Sequence, residues 1–110
     1  MLLKEIAEKL SLKTFTPQVE MAKDVKGGYT SDLLSDVMGA SKEGDLWITL
    51  QTHKNIVAVA SLRELSAIIL VKGFEPDRDT VEAATAENIP LLGTDLQTFE
   101  ISGRLYNLLK

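Results

Sequence analysis

Apolar residues come along this chain in short runs, and the spacing within each run predicts an element. Leu2, Leu3, Ile6 and Leu10 recur at helical spacing with charges between them, which predicts an amphipathic first helix. "KTFT" before Pro17 reads as a short strand, because a residue preceding proline favours extended geometry. "VEMAKDV" alternates apolar and polar positions and reads as a second strand, broken by Gly27-Gly28. Ser31 is placed to cap a helix with Leu33, Leu34, Val37 and Met38 on its apolar face, ended by Gly39. "KEGD" is a turn, and "LWITL" a compact apolar strand.

The second half alternates more regularly. "NIVAVASLREL" fits either period, and its length favours a helix. "AIILV" is uninterrupted, the pattern of a central parallel strand buried on both faces, and Gly73 ends it. Asp77 is placed to cap a helix presenting Val81, Ala83 and Ala84, with Asn88 as its left-handed stop. "PLLG" is a short last strand. Thr94 and Gln97 have capping-box spacing before a final helix with Leu96, Phe99, Gly103, Tyr106 and Leu109 at intervals of three and four. A glycine inside a helix costs about 1 kcal/mol against alanine, so Gly103 predicts a close packing contact. Strand, helix, strand, helix, strand, helix is the order of an α/β fold. The expectation is a three-layer α/β/α domain with a mostly parallel central sheet of about five strands.

Composition narrows the function more than the fold. A chain of 110 residues is expected to form one domain and to bury roughly 65% of its unfolded surface, enough for a core without staples. Aromatic residues make up only 5%, so Leu, Ile, Val and Ala must build that core. With no cysteine there is no disulfide, thiolate metal site or cysteine nucleophile. Net charge is −4 and the twelve cations are spread along the chain, so no basic patch points to nucleic acid. No apolar run approaches the ~18 residues of a membrane span. "MLLKEIAEKL" carries charges inside its apolar pattern and does not read as a signal peptide. A cytoplasmic protein is expected.

In open α/β sheets ligands sit at the carboxyl ends of the strands. Three stretches fall there: Gln51-Thr52-His53-Lys54-Asn55, Lys72-Gly73, and Thr94-Asp95 with Thr98. Helix amino termini at that edge offer unpaired N–H groups, Lys54 and Lys72 add charge, and His53 and the threonines add hydrogen bonds, so the edge suits an anion. Each residue also has a plainer role. Thr52 and Thr94 are good helix caps, a lone histidine is commonly just exposed, and Asp95 favours a helix dipole. Catalytic signatures are lacking. Gly39 and Gly44 have phosphate-loop spacing, but Asp45-Leu46 stands where lysine and a hydroxyl residue belong. One histidine makes no zinc site, no G-x-S-x-G is present, and Asp77 and Asp79 read as helix-start acids.

From about Gly28 to Leu109 the chain resembles the DRTGG domain family, itself similar to the amino-terminal domain of HPr kinase/phosphorylase. "VKGFEPDRDTVEAATAENIPLLGTDLQTFEISGRL" carries the strongest resemblance, with "SDLLSDVM" and "EGDLWIT" beside it. The resemblance supports a helix after Asn55 and a single DRTGG-like domain over residues 1–110. It departs at two places: Gln51-Thr52-His53 stands at the family's Gly-Asp-Arg-like turn, and Lys72-Gly73 at its Gly-Gly pair. It implies an accessory module, since members occur beside phosphotransacetylase domains and in pyrophosphatases with CBS domains. Short free-standing members in anaerobes are associated with iron-only hydrogenase systems, which implies a protein partner in such a redox system. The kinase chemistry of HPr kinase/phosphorylase belongs to another domain.

The expected function is a non-catalytic regulatory or assembly module. It would act as a homodimer, without cofactor or metal, and sense a small anionic metabolite or nucleotide at the strand-end edge. Tyr29, Trp47, Phe74 and Tyr106 are its candidate interface aromatics. One rival is a small enzyme acting on a phosphorylated substrate, with His53 as acid/base and Lys54 or Lys72 holding the anion. A pure scaffold is the other.

Overall fold

Four strands are hydrogen-bonded in the order in which they are made. They are β2 (Gly27–Thr30), β3 (Asp45–Thr49), β4 (Ala67–Leu70) and β5 (Leu91–Gly93), all parallel. A fifth, β1 (Lys13–Thr14), pairs antiparallel with β5 and completes the sheet order β1-β5-β4-β3-β2. The structure, a computed structural model, describes residues 1–110.

The helices are α1 (Leu3–Lys9), α2 (Leu34–Ala40), α3 (Asn55–Leu62), α4 (Arg78–Ala86) and α5 (Thr98–Leu109). Alternation along the strands sorts them into layers. Trp47, Ile68, Leu70 and Leu91 face Val37 of α2, Ile56 and Ala60 of α3 and Ala84 of α4. Leu46, Ile48, Ile69 and Leu92 face Leu3 and Ile6 of α1 and Ile101 and Leu105 of α5. The strands β3 and β4 are buried throughout: β4 is an uninterrupted apolar run between two helical layers, and the buried polar ends of β3 are bonded, Asp45 Oδ2 accepting from the Lys42 amide and Thr49 Oγ1 donating to Asp32. The expected three-layer, mostly parallel sheet is present. Because β2 to β5 advance steadily across the sheet, all three crossover helices lie on one face.

Several local expectations are corrected by the tertiary structure. "VEMAKDV" forms no strand; only Asp24 makes an isolated bridge, to Leu2. The neighbouring strand is instead Gly27–Thr30, over the glycine pair that by itself predicts a break. A Cβ on Gly27 would lie 2.9 Å from Asp45 Oδ1, and one on Gly28 3.0 Å from Leu105 Cδ2. The glycines let the strand lie close to Asp45 of β3 and to Leu105 of α5.

Ser31 is not a helix cap: its Oγ accepts from the Leu33 amide, and α2 starts at Leu34. Gly39 lies inside α2, which runs to Ala40. Leu33 and Met38 are exposed rather than buried in α2's apolar face. Thr94 does not form a capping box, since its Oγ1 accepts from the Leu96 amide and α5 begins only at Thr98. Leu96 therefore precedes α5, and Phe99 and Tyr106 point to solvent while Ile101 and Leu105 enter the core. Nothing lies within 4 Å of a Cβ built on Gly103, so no close packing contact explains that glycine. Trp47 is fully buried and is no interface residue.

Asn88 does stop its helix in the left-handed conformation, at φ 60°. Leu2 is exposed, while Leu3, Ile6 and Ala7 carry the inward face of α1. No helix is long and apolar enough to cross a membrane.

Tyr29, half-buried on β2, donates its phenol to Asp36 Oδ2 at 2.8 Å. That hydrogen bond, with desolvation and the charges of Asp36 and Asp45 adding to it, raises the phenol above its ordinary value. A folded-state value above the unfolded one means the bond stabilises fully below about pH 10 and is lost as pH rises through the folded value. In a Tyr106→Phe background, absorbance titration of Tyr29 is expected to run above that of free tyrosine. It should move down towards it in Asp36→Asn. A curve unchanged by Asp36→Asn would rule the bond out.

Candidate functional site

Parallel strands end on the same side, so the loops after β2, β3, β4 and β5 share one rim. Hydrogen bonds tie those loops to one another. After β3, Thr49 Oγ1 and the Leu50 amide both donate to Asp32 Oδ1 at 2.9 Å, and Gln51 Nε2 donates to the Asp32 carbonyl at 2.8 Å. The Thr52 carbonyl accepts from Thr80 Oγ1 at 2.7 Å and from the Asp77 amide at 3.2 Å. After β4, the Val71 amide reaches the Thr49 carbonyl, the Lys72 amide that of Leu96, and the Gly73 amide that of Thr94. Thr94 is itself held by its amide on the Leu70 carbonyl at 3.0 Å.

Thr52, His53, Lys54, Lys72, Gly73, Thr94 and Asp95 therefore follow the strands on one rim, with Thr98 in the first turn of α5. Their side chains are in different settings. Thr94 is buried, whereas His53, Lys54, Lys72, Gly73 and Asp95 are exposed and Thr52 and Thr98 half-buried. Lys54 occupies the cap position of α3 and makes no side-chain bond to the helix. It also lines a shallow outer groove of about 560 Å³ between α3 and α4. Lys72 and Gly73 are both left-handed, at φ 61° and 72°, and a Cβ on Gly73 would lie 3.1 Å from Asp95 Oδ1. Two successive left-handed residues turn the chain sharply past Asp95, where a branched side chain at position 73 would be strained.

His53 Nδ1 lies 3.0 Å from Asp77 Oδ2, with side chains 71% and 48% exposed. Asp77 holds the cap position of α4, but its carboxylate serves His53 and not the helix amides. The residue type at the helix start was legible in the sequence, and its partner was not. Asp32 was likewise unmarked, because its role depends on β2 and β3 being neighbours. Three large apolar side chains, Leu33, Phe74 and Phe99, are also exposed on this side, Phe99 at 92%. No group of three or more metal-ligating side chains occurs.

The rim is open. None of the principal cavities is lined by His53, Lys72, Gly73, Thr94, Asp95 or Thr98. The topology explains this. Open sheets form a ligand crevice where the strand order reverses and crossovers leave on opposite faces. Here β2 to β5 are wound in one direction, so the parallel strands have no such switch point.

A family model described as "DRTGG domain" matches residues 29–108. This chain belongs to the DRTGG domain family. The match begins inside β2 and ends in α5, so α1 and β1 lie outside it. Comparison with curated proteins gives no match. Among solved structures the chain is similar to the CBS and DRTGG domains of the regulatory region of Clostridium perfringens pyrophosphatase, complexed with its activator, diadenosine tetraphosphate. The TM-score is 0.68 at 21% identity, over 96% of this chain and 45% of that one. The chain thus spans about half the length of that structure, and at this identity the likeness is one of fold. It takes in nearly all of the amino-terminal segment that the family model leaves out. In the pyrophosphatase the DRTGG domain is part of a regulatory region.

Proposed function

We propose that this DRTGG domain is a non-catalytic regulatory module of the cytoplasm that senses a small anionic metabolite or nucleotide at the rim of its strand ends. The observation that carries the reading is the convergence of Thr52, His53, Lys72, Gly73 and Thr94 on that rim. There the loops are bonded to one another while Lys72 and His53 stay exposed. Fixed loops beside the exposed Lys72 ammonium favour an anion at little cost in ordering the backbone of the site. A family member's presence in a regulatory region with a dinucleotide activator agrees with this. The open rim is the face on which a second copy would sit in a homodimer, covering Leu33, Phe74 and Phe99 and enclosing the ligand. A role beside a hydrogenase system, with a redox protein as partner, rests on the family resemblance.

One observation favours the rival enzyme. Asp77 orients the His53 ring through Nδ1, which leaves Nε2 free for proton transfer to a phosphorylated substrate. Against it, His53 stands in water with nothing to exclude solvent from a reaction.

Thermal unfolding with ATP, ADP, AMP, diadenosine tetraphosphate and sugar phosphates separates these readings. A ligand at 100 times its dissociation constant is expected to add about 2.7 kcal/mol of stability. Lys72→Glu should remove most of that shift. If no anion stabilises the wild type, sensing is wrong and a scaffold remains. A turnover lost in His53→Ala with binding intact would establish the enzyme.

A further inference from the structure

The sheet has a second feature away from the rim: β2 is an edge strand, and its free side lies open. Its residues Gly27–Thr30 make no backbone hydrogen bonds other than those of the ladder to β3. Gly28 and Thr30 are exposed. Cavities flank this edge on both faces of the sheet. On the α5 side a groove of about 440 Å³ is floored by Gly28 and Ile48 and walled by Leu105, Tyr106 and Leu109. On the α2 side one of about 420 Å³ lies against Tyr29, Ala40, Lys26 and Lys42. Both are lined by Gly27 and Gly28, whose missing side chains leave them open.

An unpaired edge with a pocket on each face is the geometry of strand addition. Main-chain bonds hold the added strand, and its alternate side chains enter the two pockets. The pockets differ in chemistry. The α5-side groove is mainly apolar, and Tyr106 stands 69% exposed along it. The α2-side cavity carries Lys26 and Lys42, and Lys110 lies at the α5-side groove. The single acid lining either cavity is Asp45, which is buried and already accepts from the Lys42 amide at 2.8 Å.

We propose that β2 receives an extended segment of a partner protein in which apolar residues, turned towards α5, alternate with acidic residues turned towards α2. A second copy of this chain is a poorer occupant. Pairing β2 with itself about a two-fold axis keeps each face on its own side. It would offer only Gly28 and Thr30 to the apolar groove, and bring Lys26 and Lys42 of both copies to one seam, where like charges repel.

Fluorescence polarisation with a labelled peptide of alternating leucine and glutamate tests this on the full chain. The peptide is expected to bind, and the version with lysine for glutamate is not. N-methylation of the peptide amides facing β2, or Lys26→Glu with Lys42→Glu, should each weaken binding about tenfold or more. Amide shifts on binding should fall on residues 27–30 and 102–110. Equal binding of the lysine peptide, indifference to N-methylation, or shifts confined to the strand-end rim would each overturn the proposal. So would a dimer whose β2 amides are protected from exchange without peptide. Because Lys72 and His53 line neither cavity, failure here leaves the nucleotide shift to be judged separately.

Discussion

Replacing Trp47 with alanine is expected to lower the free energy of unfolding by about 3–5 kcal/mol, the range for removing a large buried aromatic side chain. Trp47 is fully buried at the centre of β3, in the core cluster that β3, β4 and β5 share with α2, α3 and α4. Its Nε1 also donates to the Ser31 carbonyl at 2.8 Å, at the end of β2. The change therefore opens a cavity under the crossover helices and leaves a carbonyl without its partner. Domains of this kind are stable by about 5–15 kcal/mol in all, so the variant should unfold at far lower urea. Far-UV circular dichroism is the measurement, because Trp47 is the only tryptophan and its fluorescence goes with it. Trp47→Phe separates the two contributions. It keeps most of the volume and loses the hydrogen bond, and should cost about 1–2 kcal/mol. A midpoint for Trp47→Ala within experimental error of wild type would mean that the core is not built around this side chain.

Asp32→Ala is expected to cost about 2 kcal/mol, although Asp32 is exposed and would pass for a surface residue. Its Oδ1 is the acceptor for the hydroxyl of Thr49, which is fully buried, and for the Leu50 amide. Water can replace the bond to Leu50, but the buried hydroxyl is left without an acceptor. In a Thr49→Val background the same substitution should cost much less, since the stranded donor is gone, and the difference is the coupling energy of the pair. Equal costs in both backgrounds would show that Asp32 does not act through Thr49. The variant also loosens the join between the loops after β2 and β3. Any anion-induced stabilisation at the rim should therefore fall with it while Lys72 and His53 remain.

How far the chain could be read without coordinates varies from residue to residue. The runs "LWITL" and "AIILV" were legible as central strands, since eight of their residues, alternating between the two faces of the sheet, pack into the cores on both sides. "NIVAVASLREL" was legible as a helix by its length. The caps were not. Ser31, Asp77 and Thr94 are good capping residues, yet each spends its side chain elsewhere: on the Leu33 amide, on His53 and on the Leu96 amide. A cap is a local preference of about 1 kcal/mol, and a nearby partner of equal strength displaces it. The glycines at 27 and 28 misled for a related reason. Glycine is a weak strand former in isolation, and only the nearness of Asp45 and Leu105 makes a side chain there costly.

The same division separates the candidate site from its surroundings. That the residues after three strands share one rim follows from the alternation of strand and helix, because right-handed crossovers return every parallel strand in the same direction. Sequence therefore determined the layers, the buried strands and which loops face together. Tertiary structure alone decided that the rim is open, that Asp77 meets His53, and that β2 is left at an edge between two grooves. Those depend on strand order and on contacts between residues far apart in the chain, and the periodicity of a local segment records only which face is buried, never what lies against it.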